Sequence, residues 1–283
     1  MNRAGLYQRA NAVQRHDAEQ ILKEYSYLLQ WQLNGQDNLI DIGSGSGDVL
    51  KDFIYPLMPR NFGRLVGSDI SSKMCKYARK TYKLDERCDF RILDIATEKE
   101  LPIDLQGQFD HVTSFYCLHW VQNQRQALRN VYDLLRSEGG DCLLVFLVDN
   151  PIYDVYLSLS KSSKWSSYMA DVERFICPFH RIEKPQNKFA AMLREEGFNH
   201  IKTELHHKTY DYKGVDILKD NIEAVCPFLE RIPRHQHSEF WEDFFNIIID
   251  LDLQHITQQQ ITVTYKLMVA YARKTPKFLN NDS

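Results

Sequence analysis

Asn38-Leu-Ile-Asp-Ile-Gly-Ser-Gly-Ser-Gly-Asp48 is the stretch whose reading decides the fold. Leu39, Ile40 and Ile42 form a short apolar run of the kind found in a strand buried on both faces of a parallel sheet. Asp41 stands at its carboxyl end, and Gly43, Gly45 and Gly47 follow on alternate positions. Glycines so spaced let the chain turn sharply and keep side chains away from a ligand at the backbone. A helix expected from about Ser46 to Tyr55 then aims its free N–H groups and positive dipole end at that ligand. The combination predicts a nucleotide-type cofactor at the carboxyl edge of an α/β sheet.

The spacing also discriminates between cofactors. A dinucleotide turn reads G-x-G-x-x-G, with its third glycine packed between helix and strand. Here the pattern is G-x-G-x-G, preceded by an acid two residues before the first glycine. That acid repels a pyrophosphate. S-adenosylmethionine carries an ammonium and a sulfonium, which Asp41 attracts, and it is the cofactor expected here.

Outward from this turn, the chain of 283 residues suits a single domain with an elaborated lid, and an apolar share of 43% suffices for a full core. A formal net charge of −3 gives no basic bias, so neither nucleic acid nor an anionic membrane is expected as a partner. The polar N-terminus does not read as a secretory signal, and no apolar run is long enough for a membrane span. The six cysteines lack C-x-x-C spacing, which predicts reduced thiols, no metal site and a cytoplasmic location.

Residues 1–34 read as an N-terminal arm and a helix, the helix beginning at Asp17 with Gln20 completing a capping pair. The polar run before it is either a mobile arm or a frayed terminus. Residues 35–150 read as the cofactor-binding core. In it, strands ending at Asp69 and Asp94 and a third over Phe109–Phe115 alternate with helices. One of those helices is stopped by Gly139-Gly140, and a continuous apolar strand follows from Cys142 to Val148. The rhythm then breaks into two aromatic inserts, 151–185 and 211–258, placed late enough in the chain to cover the cofactor edge. Strands over Ile201–Tyr210 and Thr262–Arg273 bring the expected count to seven, in a mostly parallel Rossmann-like sheet with helices on both faces. The polar stretch 274–283 is expected to be disordered.

Three acids, Asp41, Asp69 and Asp94, each end a successive predicted strand and therefore fall along one edge of the sheet. Their assignments are the ammonium end of the cofactor, its ribose and its adenine amino group respectively. Ile70 and Ile95 either sandwich the adenine or pack in the core. Past the fourth strand, Tyr116, His119 and Trp120 either line a substrate pocket or form a buried aromatic hinge. Asp41-x-Gly43-x-Gly45-x-Gly47, Asp69, Asp94 and the run Ser114-x-x-x-Leu118-His119-Trp120 resemble the class I S-adenosylmethionine-dependent methyltransferases. Through its whole length, N-terminal Leu6 to Gln14 included, the chain is similar to the insect juvenile hormone acid methyltransferases. This resemblance implies that Gln14 and Trp120 bind a substrate carboxylate. It also implies that Asp41, Asp69, Asp94, Ile95 and the backbone near Ser114 hold the cofactor, beside Gly43, Gly45 and Ile70. The implied substrate is a small apolar acid, farnesoic acid or juvenile hormone acid, and a homodimer is one possible assembly. His119 either donates a third hydrogen bond to the carboxylate, the preferred choice, or orients Trp120.

The chemistry agrees with carboxyl methylation. A carboxylic acid with a pKa of roughly 4 to 5 is already ionised at neutral pH, so no general base is required. Neutral donors such as an amide and an indole position the anion without stabilising its ground-state charge more than the transition state. Rival expectations are a small polyacid held by Lys161, Lys164, Arg174 and Arg181, a nicotinamide oxidoreductase, and a non-catalytic isoprenoid carrier.

Overall fold

The computed structural model describes residues 8, 10–83, 85–251, 254–256 and 261–276. The quoted stretch forms β1 (Asn38–Ile42), with Leu39, Ile40, Asp41 and Ile42 buried. It is flanked in parallel by β2 (Arg64–Asp69) and β4 (His111–Phe115), with Ile40 opposite Val66 on one side and Val112 on the other. β3 (Cys88–Ile92) continues the parallel array beyond β2, and β5 (Gly140–Asp149) beyond β4. The long β8 (Ile261–Lys274) then enters antiparallel between β5 and β6 (Asn199–Tyr212). The order is β3-β2-β1-β4-β5-β8-β6, the seven-stranded, mostly parallel sheet expected, and β7 (Gln254–Ile256) adds a short strand on β8.

Strand order reverses between β1 and β4, which opens a crevice at their carboxyl ends. The glycine turn after β1 and the Phe115–Val121 segment after β4 face each other across it. Gly43 has φ +70°, and a Cβ there would lie 2.3 Å from the Cβ of Cys117, so only glycine permits this approach.

Several boundaries differ from expectation. The helix expected from Asp17, α1, spans Ala12–Tyr25 and starts five residues before Asp17, which is fully buried inside it and caps nothing. Asp17 has other partners, described below, and these outweigh the local capping pattern. After the glycine turn only Asp48 and Val49 are α-helical before a wide turn over Leu50–Ile54 and a tight one over Tyr55–Leu57. Pro56 has no N–H with which to continue a regular ladder. The helix α3 (Gln124–Leu134) ends before Gly139-Gly140, because Leu135 already pairs with Phe109 and Gly140 belongs to β5. The stretch 274–283 opens with Lys274, still in β8, and residues 277–283 lie outside the described ones.

The remaining helices are α2 (Ser72–Thr81), α4 (Pro151–Leu159), α5 (Pro185–Glu195), α6 (Val215–Val225) and α7 (His237–Asp250). α4, α6 and α7 carry many of the aromatic and aliphatic residues of the two inserts. Tyr156 stacks edge-on against Phe228 and Phe244, and Trp165 against Phe240, which joins the inserts through one apolar cluster.

Candidate active site

Two adjoining cavities lie at the crevice. The larger, about 640 Å³, is lined by Ile42 and Gly43 from the glycine turn, by Asp69 and Ile70 after β2, and by Asp94 and Ile95 after β3. Asn123, Phe175 and Leu229 close it from above. The polar chain around it is pinned by short-range bonds. Asp69 accepts the N–H groups of Gly45 at 3.0 Å and Ser71 at 2.8 Å, so the second glycine fixes the acid and does not itself line the cavity. Asp94 accepts the Ala96 N–H at 3.0 Å, and buried Asn130 of α3 donates to the carbonyls of Ile95 and Thr97, both at 2.8 Å. Gln122 donates to the carbonyls of Arg174 and Ile176, both at 3.1 Å, and so ties the first insert over the opening.

Asp41 does not reach the cavity surface. It lies buried beneath the floor made by Ile42 and Gly43, accepting the Thr113 hydroxyl at 2.7 Å. Burial pushes its carboxyl up to about 7, and the negative charges of Asp69 and Asp48 add to that. Burial likewise raises Asp69 against the two N–H donors that hold it. Ser114 is also buried and donates its hydroxyl to the Ile42 carbonyl at 2.9 Å, tying β4 to β1. Ile70 is 67% exposed, unusual for an isoleucine, and stands at the cavity rim, whereas Ile95 is buried.

The floor of this cavity is thus negative and its rim apolar. That arrangement fits S-adenosylmethionine, whose ammonium and sulfonium would offset the carboxylates of Asp41 and Asp69 and whose adenine would cover Ile70. Gly43 meets this cavity with backbone alone, its missing Cβ making room for the Cys117 side chain.

The second cavity, about 100 Å³, is lined by Gln14 of α1, by Tyr116, His119 and Trp120 after β4, and by Tyr153 and Tyr156 of α4. Leu218 and Ile222 of α6 and Phe244 and Ile248 of α7 complete it. Among the described residues that line it, none is Asp, Glu, Lys or Arg. Gln14 and His119, far apart in sequence, therefore meet in one slot with Trp120. The Gln14 Oε1 and His119 Nδ1 atoms are buried without a partner, as are the hydroxyls of Tyr153 and Tyr156. Burial holds His119 down to about 3, so it is a neutral imidazole at physiological pH. Its ring lies 4.8 Å from that of Trp120, and Gln124 of α3 donates to the Leu118 and Val121 carbonyls at 2.6 and 2.7 Å, fixing the turn that carries both. Tyr116 and Trp120 line both cavities and form the wall where they meet.

The cations that a polyacid would need are elsewhere. Lys164 is paired with Glu239 and Asp243, and Arg181 with Asp154. Arg174 pairs with Asp171 and borders the larger cavity, and Lys161 is exposed.

The N-terminal helix contributes more than its polarity suggested. Asn11 donates to Asp48 at 2.7 Å, and Arg15 pairs with Asp48 and Asp52, both at 2.9 Å. This clamps α1 onto the end of the glycine turn while Val13 and Gln14 face the smaller cavity. In the sequence Arg15 and Asp48 are simply two charges 33 residues apart, so no local pattern marks the clamp.

A family profile described as a methyltransferase domain matches residues 40–140. The juvenile hormone acid O-methyltransferase of Drosophila melanogaster is 53% identical, the match covering 99% of this chain and 95% of the fly protein. The protein of the same name from Bombyx mori is 40% identical, over 97% of this chain and 98% of its own length. Phosphoethanolamine N-methyltransferase 2 of Haemonchus contortus, solved with S-adenosyl-L-methionine, matches in fold with a TM-score of 0.52, over 92% of this chain and 52% of that one, at 17% identity. Sheet order, glycine turn and profile define a class I methyltransferase, an enzyme dependent on S-adenosylmethionine. Within that class, the chain belongs to the juvenile hormone acid O-methyltransferase family.

Proposed function

We infer that this enzyme esterifies the carboxylate of a long apolar acid, juvenile hormone acid or farnesoic acid, in juvenile hormone biosynthesis. The observation that carries this is the smaller cavity: among the described residues its lining is free of formal charge, is mostly aromatic and aliphatic, and holds unpaired polar atoms of Gln14 and His119. S-adenosylmethionine supplies an electrophilic methyl group when bound in the larger cavity. The protein's part is to bring an already ionised acid to the shared wall and aim one of its oxygens.

Gln14, Trp120 and His119 serve as neutral hydrogen-bond donors to the carboxylate, with the Gln14 amide and the His119 tautomer oriented to donate. A neutral His119 suits this, since an imidazolium would hold the ground-state anion more firmly than the less charged transition state. Asp69 and Asp94 serve the ribose and adenine ends of the donor, Ile70 and Ile95 its ring, and Asp41 its ammonium through the floor. We assign the segments 151–185 and 211–258 to covering the substrate and excluding water, and residues 35–150 to binding the donor, within one domain. A cytoplasmic location and a homodimer complete the proposal. Among the described residues, no helix is long and apolar enough to cross a membrane.

A radiolabelled methyl-transfer assay on a farnesyl acid and on a tricarboxylate tests the substrate class. Turnover of the farnesyl acid, lost by about 100-fold in Gln14→Ala with donor affinity retained, is the expected result. Preferential turnover of the tricarboxylate, or an unchanged rate in Gln14→Ala, refutes it.

A further inference from the structure

Asp17 lines neither cavity, yet it is fully buried in the middle of α1 and holds two of their walls. One of its oxygens accepts the hydroxyl of Tyr116 at 2.5 Å and that of Tyr265 at 2.7 Å. Its other oxygen lies 3.3 Å from the ammonium of Lys208 on β6, which also donates to Gln20. Both tyrosines line the smaller cavity, and Tyr116 lines the larger as well. Tyr116 is also one of the few non-glycine residues with positive φ, at +56°, while its N–H remains bonded to the Val145 carbonyl at 2.8 Å. A left-handed tyrosine costs conformational energy and persists only where its surroundings hold it.

A buried carboxylate is itself costly unless it is paired and fully hydrogen-bonded. A folding role alone would be met by an apolar residue at this core position of α1. Three separate elements instead converge on one acid, and the group they fix is the ring between the two cavities. We propose that Asp17 is a positioning residue for methyl transfer: through the Tyr116 hydroxyl it sets the wall against which donor and acceptor are aligned. The chain of contact runs from β6 through Lys208 and Asp17 to Tyr116, so the N-terminal helix couples the far side of the sheet to the reacting centre. An asparagine at position 17 would present an amide N–H or a neutral oxygen to Lys208 and could not serve all three partners as the carboxylate does.

This rests on the proposed carboxyl methylation, and the test separates the two. Steady-state rates on the apolar acid are compared for the wild type, Asp17→Asn, Tyr116→Phe, Tyr265→Phe and the double variant Asp17→Asn/Tyr116→Phe. Tyr116→Phe removes one hydroxyl and keeps the ring, so it remains informative even if Asp17→Asn folds poorly. The expected result is a fall in kcat of about 10- to 100-fold in Tyr116→Phe and Asp17→Asn, with the acid's KM within about threefold. The double variant should be no slower than the slower single one, because both changes break the same bond. Tyr265→Phe, which leaves Tyr116 anchored, should lose less. An unimpaired kcat in Tyr116→Phe, or losses that multiply in the double variant, overturns the inference.

Crystal structures of Tyr116→Phe and Asp17→Asn give a readout independent of turnover, and so decide the inference even if the wild type fails to methylate the acid. Displacement of ring 116 from the wall supports the inference, and an unmoved ring in both variants overturns it. Wild-type turnover of the acid reports only on the proposed function.

Discussion

The two ends of the central sheet bury the same kind of group and treat it in opposite ways. At the amino end, buried His111 of β4 lies between two buried acids, with Nδ1 2.7 Å from Asp141 and Nε2 3.1 Å from Asp37. Burial on its own would lower this imidazole, but the hydrogen bonds to Asp141 and Asp37 prevail and push it up to about 9. Asp37 is lowered, since its bonds from His111 and the Gln32 N–H outweigh its burial. Trp31 packs edge-on over the imidazole at 4.4 Å and seals the cluster. At the carboxyl end, burial raises Asp41 and Asp69 against their neutral donors, and the charges of Asp69 and Asp48 raise Asp41 further. One cluster is closed by a cation the protein supplies. The other stays open to a cation brought by a ligand. Acids withdrawn from water therefore mark a ligand site where no described side chain compensates their charge, and a structural lock where one does.

The comparison can be broken at its closed end first. His111→Phe removes the internal cation and leaves Asp37 and Asp141 unpaired. A loss of about 3–5 kcal/mol in unfolding free energy is expected, with donor affinity of the folded fraction unchanged. Denaturant titration and calorimetry check this, and a stable variant with impaired donor binding would reverse the roles assigned to the two ends. Because the folded-state value of His111 exceeds its unfolded value, its stabilising contribution is full below about pH 6.5 and is lost as pH rises through about 9.

At the open end the effects are smaller and fall on binding. Asp69→Asn keeps the shape but loses the charge and one of the two N–H acceptors. Donor affinity should weaken by about 10- to 100-fold with little change in thermal midpoint, because the carboxylate makes charge-assisted bonds that an amide replaces only in part. Isothermal titration measures it. A drop in the midpoint with affinity retained would make Asp69 another lock.

The mildest effect is in pH. Asp41 is raised above its unfolded value, so folding without donor becomes less favourable as pH rises through the range up to about 7. A bound cation favours the ionised form, so donor binding should release a fraction of a proton near neutrality. Affinity should then rise roughly tenfold between pH 6 and 8. Titration in buffers of different ionisation enthalpy detects the proton, and its absence would show that Asp41 does not sense the donor.

Much of this was legible along the chain because the informative patterns are local. Leu39, Ile40 and Ile42 alternate with nothing polar except Asp41, and a strand so composed can only be buried on both faces. The glycine spacing limits where backbone and ligand can approach, and acids at successive strand ends must share an edge. What was not legible is whatever depends on partners distant in sequence. Asp17 with Gln20 satisfies a capping pattern, but its carboxyl group meets Tyr116, Tyr265 and Lys208 instead of helical N–H groups, and the helix starts at Ala12.

By itself, then, the sequence determined the βα order, the cofactor edge and the class of methyl donor, since periodicity and turn chemistry act over a few residues. Only the tertiary structure decided which cavity is lined by no charged residue among those described, that Lys164 and Arg181 are already paired, and that Asp41 lies under the floor while Asp69 faces the opening. Those outcomes depend on which side chains neutralise one another across the fold, and burial and Coulomb interactions are properties of the packed arrangement that no stretch of chain contains alone.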